Sequence, residues 1–377
     1  GAVLSKTTRV LFAAVACAFV VTQATAQDEF KPSVSVGGGL RAGVSFGDDA
    51  DNYGLNNTRL YINASAASWL SLEVNSETSF GGETDLPSGD ELGVTLLDAV
   101  AKISLSDNAD VWVGRFLAPS DRANLSGPYY GNVGNDHARG SRFYMNGNNV
   151  AGRDDGIALS GALAGSGADG EMNLKYAVGL FDGAAGDDQM FAGRLTMNLW
   201  DNETGYYNAS TYYGEKEILA IGLAYQTESA DDMGAAGAGG GSYEDALSVD
   251  ILLEKTLGPG TVTLDLAWSD YSGTAIAETS LGAGDDVEGS DDADSVSIFA
   301  GLLLNDAVNV GPMSGKPRPY IRWVSDGTRG DEFAIGLQYV IDGHKASVCI
   351  EYGDWDGAAA DGSEEGSSVG IGAQFQF

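Results

Sequence analysis

Apolar and polar residues alternate along this chain in runs of about ten, and clusters of Gly, Asp, Asn and Ser separate the runs. The clearest are "ALSVDILLEKTL" (246–257), "TVTLDLAWSDYS" (261–272), "DEFAIGLQYVID" (331–342) and "KASVCIEYGDW" (345–355). In the second run Val262, Leu264, Leu266 and Trp268 share one face, while Thr263, Asp265, Ala267 and Ser269 share the other. A period of two is that of a β-strand, and hardly any segment repeats apolar residues at helical spacing beyond two turns. From Gln27 to Phe377 the pattern predicts sixteen strands, least sharply bounded near 92–106 and 204–227.

The connections differ in kind. Those near 66–68, 106–110, 257–260 and 342–345 are short and follow even-numbered strands, whereas long acidic stretches such as "GGETDLPSGDE" and "SGTAIAETSLGAGDDVEGSDDAD" follow odd-numbered ones. Short turns on one rim and long loops on the other are the asymmetry of an outer-membrane β-barrel. Two even-strand connections, 201–216 and 305–317, break this rule. The chain ends on "SSVGIGAQFQF", an alternating strand whose last residue is Phe377. Closing a barrel requires the last strand to pair with the first, so the expectation is a strand near 33–46 paired with this one, with Phe377 facing lipid. The alternative is an edge strand of a secreted sandwich or adhesin, which leaves the exposed apolar face unexplained.

Composition and charge sharpen the picture. Lys6 and Arg9 precede the apolar run Val10 to Val21, and Ala24-Thr25-Ala26 follows as a small-x-small cleavage signal, so residues 1–26 read as a secretory signal peptide and 27–377 as the barrel domain. The run is too short for a spanning helix. Removing it takes away Cys17 and leaves Cys349 as the single thiol, so no internal disulfide supports the fold. It leaves 18 basic residues against 54 acidic ones, a formal charge of −36, which excludes nucleic acid as a partner.

Four segments in order, "VGRFLAPSD" (113–121), "AGRDDGIALSGAL" (151–163), "YAVGLFDGAAGDD" (176–188) and "TYYGEKEILAIGLAYQ" (211–226), resemble successive parts of the phosphate-selective porin O and P family of Gram-negative outer membranes. The terminal Phe resembles the signal by which such barrels are recognised for insertion. The resemblance implies a homotrimeric outer-membrane channel, surrounded by lipid and lipopolysaccharide, for passive diffusion of small hydrophilic solutes and ions, including anions such as phosphate. The chain departs from that family in having few basic residues and no Lys-rich stretch.

A charge facing lipid costs about 2–4 kcal/mol at the midplane, so the alternation directs Arg59, Glu73, Asp98, Lys102, Arg115, Lys175, Arg194, Asp250, Glu254, Asp265, Arg322 and Glu351 to the lumen. Bases dominate the first eight strands and acids strands ten to fifteen, which predicts a transverse field across the pore. The longest connection, 117–152, carries Arg122, Arg139 and Arg142 with Asp121, Asp136, His137, Tyr129 and Tyr130. Mixed charge with tyrosines suits a loop folded into the barrel. The constriction candidates are therefore Arg115, Arg122, Arg139 and Arg142, and the other pore-lining bases are Arg59, Lys102, Lys175 and Arg194. A pore narrowed by these arginines predicts weak anion preference at high salt, moving toward cations at low salt as the acidic loops are felt further in. The acidic loops lack the ligand spacing of a calcium site, and no cofactor or metal is expected. An enzyme would need a histidine beside a nucleophile; only His137 and His344 exist, neither in such a setting.

Overall fold

The computed structural model describes residues 30–47, 52–80, 94–132, 152–163, 173–183, 189–228, 245–272, 292–326, 330–357 and 365–377. The predicted signal peptide, most of the long acidic loops, and Asp136, His137, Arg139 and Arg142 lie outside these residues.

The strands are β1 (Ser33–Gly47), β2 (Asn52–Ala67), β3 (Leu70–Phe80), β4 (Val94–Ser106), β5 (Ala109–Leu117), β6 (Arg153–Ala162), β7 (Asn173–Phe181), β8 (Met190–Trp200) and β9 (Ile218–Thr227). They continue as β10 (Asp245–Leu257), β11 (Gly260–Ser272), β12 (Asp292–Leu304), β13 (Val308–Val310), β14 (Met313–Asp326), β15 (Gly330–Asp342), β16 (Ala346–Asp356) and β17 (Glu365–Gln376). Each wall strand pairs antiparallel with its neighbours in chain order, and β1 pairs with β17, from Gly39 opposite Gln376 to Gly47 opposite Ser368. Sixteen strands close the wall. The short β13 pairs only with the end of β14, while β12 pairs directly with β14 further along. The anomalous connection at 305–317 is thus a hairpin prolonging that strand pair below the rim.

Closure leaves no sheet edge unpaired, which a sheet in lipid requires because no water is present to satisfy it. The chain end is part of this closure: the Phe377 amide donates to the Gly38 carbonyl at 3.0 Å, and the Gly38 amide donates back to the Phe377 carbonyl at 3.1 Å. A side chain on Gly38 would meet the Phe377 ring, which places that ring on the outer face with Phe375 and Ile371.

Alternation sets the two faces. Along β15, Phe333, Ile335 and Leu337 are exposed outward, while Ala334 and Gln338 are buried within. In β11, Thr263 and Ser269 are buried and Trp268 is exposed, as the pattern predicts. The molecule is therefore inverted relative to a soluble one. Among the described residues most exposed large side chains are apolar, and the buried set holds Arg, Asp, Glu, Asn, Ser and Thr. The turns at 68–69, 107–108, 258–259 and 343–345 lie on one rim, which also carries the longer connection 201–217, while the connections 81–93, 118–152, 228–244 and 273–291 join strands at the other.

A lumen narrowed from both rims: the candidate functional site

From the end of β5 the chain turns into the barrel. Residues 118–121 run extended along the wall of β8 to β10: Gln226 Nε2 donates to the Pro119 carbonyl at 2.9 Å and Arg194 Nη1 to the Ser120 carbonyl at 2.9 Å. Asp121 then caps a short helix, α1 (Arg122–Tyr130), by accepting from the Asn124 amide at 2.9 Å. Gly127 breaks the helix at φ +59, a left-handed conformation that glycine adopts without steric cost, and Pro128 follows. Across the lumen Tyr129 packs against β1 and β2, edge-on to Tyr61 at 6.4 Å. A Cβ on Gly39 would lie 2.6 Å from the Tyr129 ring, so that approach needs glycine. Gly39 faces Gln376, close to the turn rim, so this insert runs deep.

A second insert meets it from the opposite rim. The connection 201–217 between β8 and β9 is an Ω-like loop. The Asp201 amide donates to the Glu217 carbonyl (2.9 Å), and the Glu217 amide donates to the Asp201 carboxylate (2.7 Å), which closes its neck. Inside, Tyr206 stacks on Trp112 of β5 at 4.5 Å and donates its hydroxyl to the Leu117 carbonyl at 2.8 Å. Glu254 of β10 accepts from the Thr211 hydroxyl (2.8 Å) and the Gly214 amide (2.7 Å). Tyr213, at a left-handed φ of +53, lies beneath Arg318 of β14 and edge-on to His344 in the 343–345 turn. Holding a tyrosine in that conformation costs on the order of 1 kcal/mol, offset by this packing.

The two inserts are joined by charge. Arg122 donates both terminal nitrogens to Glu203, at 2.6 and 2.8 Å, and its Nη1 also reaches the Ala209 carbonyl at 2.7 Å. Its Nε lies 3.5 Å from Asp250, which Arg194 holds through two bonds of 2.6 and 2.8 Å. Burial pushes the Glu203 carboxyl up, but Arg122 outweighs it and holds the group down at about 2. The Ser210 amide donates to the Tyr130 carbonyl at 2.9 Å, adding a backbone link.

The wall charges fall where alternation predicts, with one exception. Arg59 bonds Glu77, Lys102 bonds Glu73, Arg153 bonds Asp98, and Arg322 bonds Glu332 and Glu351, all within the lumen. Arg115 does not point there. It pairs with Asp155 in the register that sets Val113 opposite Ile157, two exposed apolar residues, so Arg115 and Asp155 stand on the outer face near the loop rim, joined by two bonds of 2.8 Å. Trp112 and Phe116 hold the inward positions instead, packed on Tyr206. Apolar residues on both faces hid the facing of this strand.

Arg122, expected at the constriction, lies in the inserted segment with its guanidinium 1% exposed, bonded to Glu203 and the Ala209 carbonyl with Asp250 at 3.5 Å, so it is closed to a passing solute. Of the charges expected to set up a transverse field, Arg59, Lys102, Arg194 and Arg322 pair with acids close by, whereas Lys175 and Glu254 have no oppositely charged partner within ion-pair distance among the described residues. Arg41, Arg153 and Arg318 also occupy the inner face, and sequence reasoning missed them as lumen residues. Arg318 lies where the anomalous connection blurred the strand count, while Arg153 stands in the quoted "GRDDG" motif.

Two chambers remain beside the inserts. One, of about 610 Å³, lies against β1 to β4 and is lined by Arg59, Tyr61, Asn63, Tyr130, Tyr207 and Tyr212 among others. The other, of about 290 Å³, lies against β6 to β8 and includes Lys175, Arg194, Thr196, Glu203 and Asn208. Lys175 Nζ reaches the Asn208 amide oxygen at 3.3 Å and has no carboxylate within ion-pair distance among the described residues. His344 Nε2 lies 2.9 Å from the Thr211 carbonyl, its ring between Tyr130 and Tyr213. Burial pushes its pKa below the ordinary value. Among the described residues no group of three His, Cys, Asp or Glu side chains is placed to hold a metal.

No protein-family model matches the chain, and no curated protein matches it either. Solved structures do. The chain is similar to an anion-selective porin from Comamonas acidovorans, at 15% identity and a TM-score of 0.55, over 92% of this chain and 100% of that one. It is similar to OmpF of Salmonella typhi in complex with daunomycin, at 12% identity and a TM-score of 0.53, over 91% and 97% of the two chains. A loop-deletion mutant of OmpT, an outer membrane protein of Vibrio cholerae, follows at 17% identity and a TM-score of 0.51, over 92% and 99%. At these identities the likeness establishes the fold: a closed β-barrel of the outer-membrane kind, with porins among its structural neighbours.

Proposed function

We propose that the chain forms a water-filled channel of the outer membrane for passive diffusion of small hydrophilic solutes and ions, with its long loops outside the cell and its short turns in the periplasm. The observation that carries this reading is the inverted molecule: a closed wall, apolar outside and polar within, whose two inserts leave chambers instead of a solid core. A barrel that served only as an anchor needs no polar chambers. Homotrimers are the assembly that the porin resemblance implies.

Ion preference follows from which charges a solute can reach. Beside the inserts Arg122 and Arg194 are held by carboxylates and Arg318 is fully buried on neutral partners, so no open arginine ladder supports selection of phosphate. Lys175 supports a weaker preference for anions, because it lines a chamber with no carboxylate within ion-pair distance among the described residues. Acidic loops at the mouth oppose it, and their reach grows as salt falls, so the preference moves toward cations at low ionic strength. Planar-bilayer recording in a salt gradient tests both parts. Stepwise channels with a reversal potential on the anion side at high salt support the reading; absence of any channel overturns it.

A further inference from the structure

The 610 Å³ chamber combines features that point to a solute class. The charged side chains that line it are answered locally: Arg59 by Glu77, Glu73 by Lys102, and Asp98 by Arg153. An ion entering it must lose water without gaining an unanswered counter-charge, whereas a neutral solute avoids that cost. Four tyrosines, Tyr61, Tyr130, Tyr207 and Tyr212, line the space, and their rings offer apolar faces beside polar edges. Just beneath this wall, closed off from the open space until a side chain shifts, three polar atoms have no hydrogen-bond partner among the described residues: the acceptor Asn75 Oδ1, the donor Asn208 Nδ2, and the Tyr207 hydroxyl, which can play either part. Asn75 and Asn208 are each 7% exposed, so these unmet bonds are costly.

A ligand suited to such a wall is uncharged, carries groups that both donate and accept, and has an apolar face to lay on an aromatic ring. We propose that this chamber is a binding site for a neutral polyhydroxylated solute, a sugar, and that the 201–217 insert supplies one side of it through Tyr207, Asn208 and Tyr212. The proposal rests on the channel reading and names the solute class for this part of the lumen. The chamber's size is that of an ordinary small-ligand site.

The test is titration of maltose into both compartments of a bilayer holding open channels. Binding inside the lumen produces a saturable fall in ion current. Polyethylene glycol of matched size lowers it only in proportion to solution conductivity. A Tyr61→Ala, Asn63→Ala double variant should raise the half-saturating maltose concentration about fivefold or more, with each current read as a fraction of that variant's own open-channel current. Lys175→Ala, which alters the other chamber, should leave it where it was. A current that falls equally for maltose and polymer, or a half-saturation untouched by the double variant, overturns the proposal. If no channel forms at all, the channel reading fails instead, and calorimetry of maltose with the detergent-solubilised protein still decides: heat of binding lost in the double variant supports the site, and no heat in the native protein refutes it.

Discussion

At the residue scale, the deciding distinction is between charges a solute can reach and charges the fold has spent. Lys175 belongs to the first kind, Arg122 and Arg194 to the second, and Arg115 to neither, since it faces outward beside Asp155. Lys175→Ala should therefore move the reversal potential toward cations, while Arg115→Ala leaves it unchanged; an equal shift in both would place Arg115 in the current path. Removing one partner of a buried ion pair costs about 3–5 kcal/mol, because the other charge is left unanswered. Arg122→Ala strands Glu203, while Asp250 keeps Arg194, and should loosen both inserts while the wall keeps its strand content, read as faster proteolysis within 201–217 beside unchanged circular dichroism. Acid should act at the same place. Glu203 has its folded pKa depressed to about 2 from an ordinary 4.5, so its contribution is fully present above pH 4.5 and is lost as the pH falls from there toward 2. Hydrogen exchange in the 201–217 segment should rise across that window and stay flat above it. The alternation exposed most luminal residues to sequence reasoning, but Arg115 escaped it because Val111, Trp112, Val113 and Phe116 make both faces of β5 apolar. Only the register and the ring contacts reveal that Trp112 and Phe116 face inward onto Tyr206.

At the element scale, the wall was legible in the sequence and the contents of the lumen were partly so. Strands announce themselves because lipid on one side and water on the other impose a period of two. The loop after β5 was marked by its length and by tyrosines among mixed charges, and residues 118–132 do lie in the barrel. The second insert had no periodic signal. What marked it was a connection too long for its rim, carrying Tyr206, Tyr207, Tyr212 and Tyr213 within eight residues. A tyrosine-dense loop has little reason to remain in water when a lumen is available to bury it. His344 sits where the two inserts and the turn rim converge, with Arg318 and Glu254 as the charged groups whose fields it feels and Tyr130 and Tyr213 against its ring. Its folded pKa lies below 6.5, so the packed arrangement is undisturbed above that pH and loses stability as the pH drops below it and the ring must take a proton. The expected outcome is a rise in conductance or in current noise when the turn-side solution is brought from neutral to about pH 5, absent in His344→Gln. An identical response in the variant would assign the effect to another group.

At the scale of the whole molecule, the last residue and the first strand complete one structure. Phe377 contributes two backbone bonds to the closing seam and an outward ring at the turn rim. Deleting it should reduce the fraction of chains that reach the heat-modifiable folded form, measured by the gel shift of unboiled membrane fractions, without changing the conductance of those that do. In the proposed channel the passage is set by two inserts that meet near the turn rim, joined by Arg122 and Glu203. The most direct measurement of that account is single-channel conductance of the native protein beside a variant in which residues 203–214 are replaced by a short Gly/Ser turn. The account predicts stepwise openings from both, with clearly larger steps in the variant because the turn-side half of the constriction is gone. No openings from the native protein, or steps of equal size in the two, would contradict it.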